Sequence, residues 1–153
     1  MNATFYRRRL PHVRSEGAIY FVTWRLHRGQ PDLSEAERDC VVATIRHFDG
    51  DRYTLHAYVV MNDHVHVLVQ TASGQRLESV VSTWKSFTTN RMQRDFGRSG
   101  AVWQDEYFDR AVRDDSEYDQ KRDYILNNAQ KRWPEIEAYR WRWAIGMDFS
   151  AAP

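Results

Sequence analysis

The succession of strand-like and helix-like segments in this 153-residue chain predicts an α+β fold. The expected architecture is a ferredoxin-like antiparallel four-stranded sheet, split β-α-β-β-α-β, with an added C-terminal helix. Three observations carry that prediction. A β-branched and aromatic run at 18–26 is followed by a capped helix signal. Two apolar runs flank a polar break at Asn62-Asp63. A second helical stretch, a short strand and a third helix then follow in that order.

The first strand is Ala18–Leu26, Ala-Ile-Tyr-Phe-Val-Thr-Trp-Arg-Leu, rich in the residue types that suit a pleated, half-buried surface. Gly29–Asp32 is a loop. Ser34 with Glu37 three residues on forms a capping box, which predicts a helix over 35–48, stopped near Asp49-Gly50. Arg52–Met61 and His64–Thr71 read as two strands joined by a hairpin at Asn62-Asp63. Ala72-Ser73-Gly74 breaks the chain before a helix over 77–96. Its residues Leu77, Val80, Val81, Trp84, Phe87 and Met92 largely keep helical spacing, with Lys85, Arg91 and Arg94 off that stripe. After Gly97–Gly100, Tyr107–Val112 is the fourth strand. Asp114-Asp115-Ser116 supplies N-cap residues for a helix over 117–131, stopped before Trp133-Pro134. The tail holds Tyr139, Trp141, Trp143 and Phe149 without clear periodicity.

Length fits one domain over 1–153, with a basic leader at 1–14 and a tail at 132–153. No run of 18 apolar residues occurs and no apolar signal segment follows the N-terminus, so a cytoplasmic protein without a membrane span is expected. The single cysteine, Cys40, has no second thiol for a disulfide or a zinc site. Net charge is only +1, but Arg7, Arg8, Arg9 and Arg14 stand in a leader without acids, and Arg76, Lys85, Arg91, Arg94 and Arg98 outnumber the acids of 76–98. That asymmetry fits one basic face. Six tryptophans and eight tyrosines suit both a core and base stacking with single-stranded nucleic acid.

His64 and His66 follow the hairpin with one valine between them. On a strand, residues i and i+2 share a face, about 6.6 Å apart along the chain. Two imidazoles so placed can lean onto one cation, whose bonds to nitrogen are about 2.0–2.1 Å long. Val65, Val67 and Val69 line the opposite face and are expected in the core. On the third helix Tyr124 and Asn128 are i and i+4 and share a face, which can present a hydroxyl nucleophile and an amide-oxygen ligand together. A tyrosine with its ordinary pKa of about 10 needs help to act as a nucleophile. A divalent cation supplies help by stabilising charge on a phosphoryl oxygen.

These residues resemble a known family. His64-Val65-His66, after Ala57-Tyr58-Val59-Val60-Met61, resembles the histidine–hydrophobe–histidine (HUH) motif of single-strand DNA transposases. Trp84-Lys85-Ser86-Phe87-Thr88, Val102–Arg110 (Val-Trp-Gln-Asp-Glu-Tyr-Phe-Asp-Arg) and Asp123-Tyr124-Ile125-Leu126-Asn127-Asn128 resemble one branch, the REP-associated tyrosine transposases. The likeness covers roughly residues 5–130. It implies an HUH transposase domain that cleaves single-stranded DNA in the presence of Mg²⁺ or Mn²⁺, at palindromic repeats that fold into hairpins. By the same likeness, Tyr124 is the nucleophile of a 5′-phosphotyrosine intermediate, and His64, His66 and Asn128 are the metal ligands.

Where the branch often continues its tyrosine segment as Asn-Pro, this chain has Asn128-Ala129-Gln130-Lys131. A longer helix or an altered tail is expected, with Asn127 as an alternative third ligand. The third histidine of conjugative relaxases is absent. Arg7, Arg8, Arg9, Lys85, Arg91, Arg110 and Arg113 are candidate phosphate contacts, and Trp103 and Gln104 candidate base contacts, with Trp103 equally a core candidate. The alternative is a hairpin DNA- or RNA-binding protein without catalysis, for which the tyrosine and both histidines have no use. A hydrolase using water would need an acidic base, and Asp63 is the only carboxylate beside the histidines. Either a monomer or a homodimer fits the family.

Overall fold

Alternation in the first strand sorts its side chains into two sets, and the two faces of the sheet follow from it. A computed structural model describes residues 17–149. In β1 (Ile19–Arg25), Tyr20, Val22 and Trp24 face one side, while Phe21 and Thr23 face the other. The remaining elements are α1 (Glu35–Arg46), β2 (Tyr53–Val60), β3 (His64–Thr71), α2 (Leu77–Asp95), β4 (Phe108–Ala111), α3 (Asp115–Arg132) and β5 (Arg142–Ala144). The sheet runs β4-β1-β3-β2-β5, and every paired neighbour is antiparallel. Strands β1 to β4 have the expected ferredoxin-like order. The fifth, β5, comes from the aromatic tail and pairs with β2 at the sheet edge.

Helix starts follow their local chemistry. Ser34 accepts from the Glu37 backbone N–H while the Glu37 carboxylate accepts from that of Ser34, closing the predicted capping box. Asp114 caps α3 through the Glu117 N–H. Gly97, with φ of 71°, turns the chain out of α2 so that the Arg98 N–H reaches back to the Met92 carbonyl. The second helix brings Trp84 onto Trp24, ring centres 5.5 Å apart, and α1 packs beside it on the same face. Val65, Val67 and Val69 are wholly buried there.

The other face belongs to α3. Tyr118 donates to His56 Nδ1 at 2.7 Å, Ile125 and Ala129 are buried, and Arg142 of β5 donates to the Leu126 carbonyl at 2.6 Å. The helix therefore lies pinned across β2 and β3 on both sides of Tyr124. It runs past Asn128 to Arg132, the longer helix expected from the missing proline. The tail is not a loose appendage: Tyr139 and Trp141 are buried, and the Tyr139 hydroxyl donates to the Val60 carbonyl at 2.6 Å. No helix among the described residues is long and apolar enough to cross a membrane. Arg7, Arg8, Arg9 and Arg14 lie outside the described residues.

Candidate active site

The turn that starts β3 is tied down from three directions. Met61 N–H donates to the His64 carbonyl, Leu26 N–H to that of Asp63, and Leu33 N–H to that of Asn62, at 2.7–2.9 Å. The Asn62 side chain donates to Asp32 Oδ2 at 3.0 Å. From this turn β3 leaves with His64 and His66 on the α3 face, their ring centres 4.7 Å apart.

His64 donates from Nδ1 to Asp63 Oδ1 at 2.6 Å and is hydrogen-bonded by the Asn128 side chain. His66 is 3% exposed. Its Nδ1 shares a 2.6 Å hydrogen bond with Thr23 Oγ1, and its ring stacks on Phe21 at 5.3 Å. The remaining nitrogen, Nε2, is buried and has no hydrogen-bond partner. Burial pushes the His64 pKa down, outweighing the opposing pull of Asp63. Burial pushes His66 well down, helped by His64, Arg25 and Lys121. Both imidazoles are thus held neutral at neutral pH, the form that has a lone pair to offer.

The Tyr124 ring stands edge-on to His66, centres 5.3 Å apart, and 6.0 Å from Phe21. It is 45% exposed although it sits directly above a buried histidine. Asn128, one turn on, is buried, whereas Asn127 faces solvent. One chain therefore brings together all four of the residues that the sequence motifs single out: His64, His66, Tyr124 and Asn128. Among the described residues no three His, Cys, Asp or Glu side chains cluster as a metal site; the third position beside the histidines is an amide.

Residues 32–128 match the model of the IS200-like transposase family. The chain belongs to that family. This transposase is also similar in fold to a REP-associated tyrosine transposase solved bound to a REP hairpin, with TM-score 0.67 and 19% identity over 91% of this chain and 93% of that one. A crystal structure of a putative transposase from Deinococcus radiodurans R1 aligns with TM-score 0.55 and 20% identity over 75% of this chain and 93% of that one. No curated protein sequence matches the chain.

Several candidate DNA contacts of the transposase have other employment. Trp103 is 4% exposed and donates its indole N–H to Thr88 Oγ1, which makes it a core residue of this fold. The Gln104 amide donates to the Leu26 carbonyl, and Lys85 Nζ donates to the carbonyls of Gln104 and Asp105, which fastens this loop beside β1. Arg110 is partly buried in an ion pair with Glu117. Arg91 pairs with Asp95 and lines a hollow of about 270 Å³ between α1 and α2, on the far side of the sheet from His66. Arg113 is exposed at the entry to α3.

The cations that do stand at the site were not singled out from the sequence. Arg25 is the cross-strand partner of His64, and Lys121 lies 4.8 Å over the Phe21 ring. Lys121 precedes Tyr124 by three residues, a helical neighbour that spacing alone could have found. Thr23 and Arg25 become neighbours of the histidines only through the β1–β3 register.

Proposed function

We propose that this transposase cleaves and rejoins single-stranded DNA at hairpin-forming repeats, using Tyr124 as its nucleophile. The observation that carries the reading is the position of the half-exposed Tyr124 ring 5.3 Å from the ring of buried His66, within one chain. The Tyr124 oxygen attacks the scissile phosphorus and the bond from phosphorus to the 3′ oxygen breaks. The leaving strand takes a proton as its 3′-hydroxyl, in net exchange for the one the phenol gives up, and the 5′ phosphate stays on the tyrosine. In the reverse step a 3′-hydroxyl attacks the phosphotyrosine and releases the phenol, so the bond is conserved and no nucleotide cofactor is consumed.

His64, His66 and Asn128 fit a divalent cation of the Mg²⁺ or Mn²⁺ kind: two neutral imidazoles, one with an unpartnered buried Nε2, and a buried amide. Such a cation, when bound, polarises a phosphoryl oxygen and stabilises the charge that builds on it. The chain's own residues do the rest. Exposure of Tyr124 admits the strand, the pinned α3 fixes its approach, and Arg25 and Lys121 favour a phosphate at this face. All these residues come from one chain, which supports a site complete in a monomer. A hairpin partner is supported by the similarly folded transposase solved with a REP hairpin.

The test is cleavage of end-labelled single-stranded hairpin oligonucleotides, taken from repeats flanking the gene, with Mg²⁺ or Mn²⁺ on a denaturing gel. A covalent protein–DNA adduct that disappears in Tyr124→Phe is expected. An adduct that survives the substitution would show that Tyr124 is not the nucleophile. Hairpin binding without any adduct would replace this reading with a binding protein.

A further inference from the structure

Both histidines of the site are gripped at Nδ1. His64 is held by Asp63 Oδ1 at 2.6 Å and His66 by Thr23 Oγ1 at the same distance. A carboxylate only accepts, so the Asp63 bond places the proton of neutral His64 on Nδ1 and leaves the lone pair on Nε2, the nitrogen left for Asn128. A threonine hydroxyl both donates and accepts, so its bond alone leaves two tautomers for His66. The other side of the ring separates them. His66 Nε2 is buried without a partner, so a proton there would be a stranded donor, whereas a lone pair there is an acceptor that a cation can satisfy.

We propose that Thr23 and Asp63 are positioning residues that hold His66 and His64 as Nδ1–H tautomers, so that both Nε2 lone pairs are open to one divalent cation. The inference rests on His64, His66 and Asn128 being the cation ligands. Ring orientation is set by the same contacts. Thr23 is the cross-strand partner of His66, so the antiparallel ladder fixes the distance between hydroxyl and ring. Phe21, two residues earlier on the same face, stacks within 20° of parallel and limits rotation of the imidazole plane. Asp63 is next to His64 in the chain and half-exposed, so its hold needs only the local turn. One histidine is thus oriented through a long-range register and the other through its neighbour.

Metal-binding histidines in general depend on such partners for tautomer and orientation, and losing one weakens affinity by about 10–100-fold. The first measurement needs no variant: long-range ¹H–¹⁵N correlation spectra of the metal-free protein with labelled histidine. Nδ1–H at both His64 and His66 is expected; Nε2–H at His66 would overturn the proposal. The second is Mn²⁺ affinity by calorimetry for Thr23→Val, Thr23→Ser and His66→Ala. Thr23→Val should bind Mn²⁺ about 10–100-fold more weakly and lose the His66 Nδ1–H signature, with Thr23→Ser restoring both. Wild-type affinity in Thr23→Val, alongside lost affinity in His66→Ala, would overturn the positioning role while leaving the ligand set intact. Unchanged affinity in His66→Ala would instead overturn the ligand set and this inference with it. Asp63→Asn retains an accepting oxygen and should stay near wild type, whereas Asp63→Ala should weaken Mn²⁺ binding.

Discussion

Arg98 closes a buried network that reaches the histidine turn, and replacing it with methionine should cost much of the fold's stability. Its guanidinium donates to both Glu37 carboxylate oxygens and also to the carbonyls of Pro31 and Asp32, at 2.5–3.0 Å. The Arg98 and Glu37 side chains are 4% and 6% exposed. Arg98→Met keeps most of the volume and leaves the Glu37 carboxylate buried without its cation, a loss of about 3–5 kcal/mol. At this chain length that lowers Tm by roughly 6–20 °C. Urea unfolding should show a lower midpoint with an unchanged slope.

The same pair has a pH signature. Burial pushes the Glu37 carboxyl up, but hydrogen bonds from Arg98 and Ser34 outweigh it and hold the group below the usual carboxylate range. Its stabilisation is therefore complete above the unfolded pKa and is lost as pH falls through the lower, folded one. Without Arg98 only burial and the Ser34 bonds act, and acid neutralises the stranded carboxylate. The stability gap between wild type and Arg98→Met should narrow as pH falls from about 7 toward about 4, and adding Glu37→Gln to Arg98→Met should recover part of it at about pH 7. A loss under about 1 kcal/mol, the size of an exposed pair, or a gap that does not narrow would refute the account.

Other expectations follow from the same contacts. Asn128→Ala should weaken Mn²⁺ binding by at least about tenfold in calorimetry, while exposed Asn127→Ala should leave it at the wild-type value. Arg25→Ala and Lys121→Ala should each lower the slope of log affinity against log salt for a single-stranded hairpin by about 0.7, and Arg91→Ala, on the far face, should not change it. Trp103→Ala should destabilise the protein by about 3–5 kcal/mol in urea unfolding, with hairpin affinity of the folded fraction unchanged.

Much of this fold is written in contiguous residues. The Ser34–Glu37 capping box, the Asp114 cap, the alternating strand at 19–25 and the hairpin before His64 depend on neighbours within a few positions, so the sequence exposes them. The same holds for placing His64 with His66 on one strand face and Tyr124 with Asn128 on one helix face, since both rest on fixed periods. Their meeting could be expected from family likeness, but its geometry is tertiary: α3 is laid across β3 by Tyr118, Ile125, Ala129 and Arg142. The fifth strand escaped notice because three residues are too few to show a period, and β2 supplies the edge that makes them a strand.

The fates of the arginines and of Trp103 were likewise decided in three dimensions. A basic residue reads alike in sequence whether it stands beside the histidines, as Arg25 does, or meets a carboxylate, as Arg98 and Arg110 do. Arg98 finds Glu37 across 61 residues, and Thr23 finds His66 across 43. Periodicity and capping act along the chain and survive without any fold. Ion pairing, burial and tautomer depend on which distant groups the sheet register brings within about 3 Å, a distance no spacing rule contains.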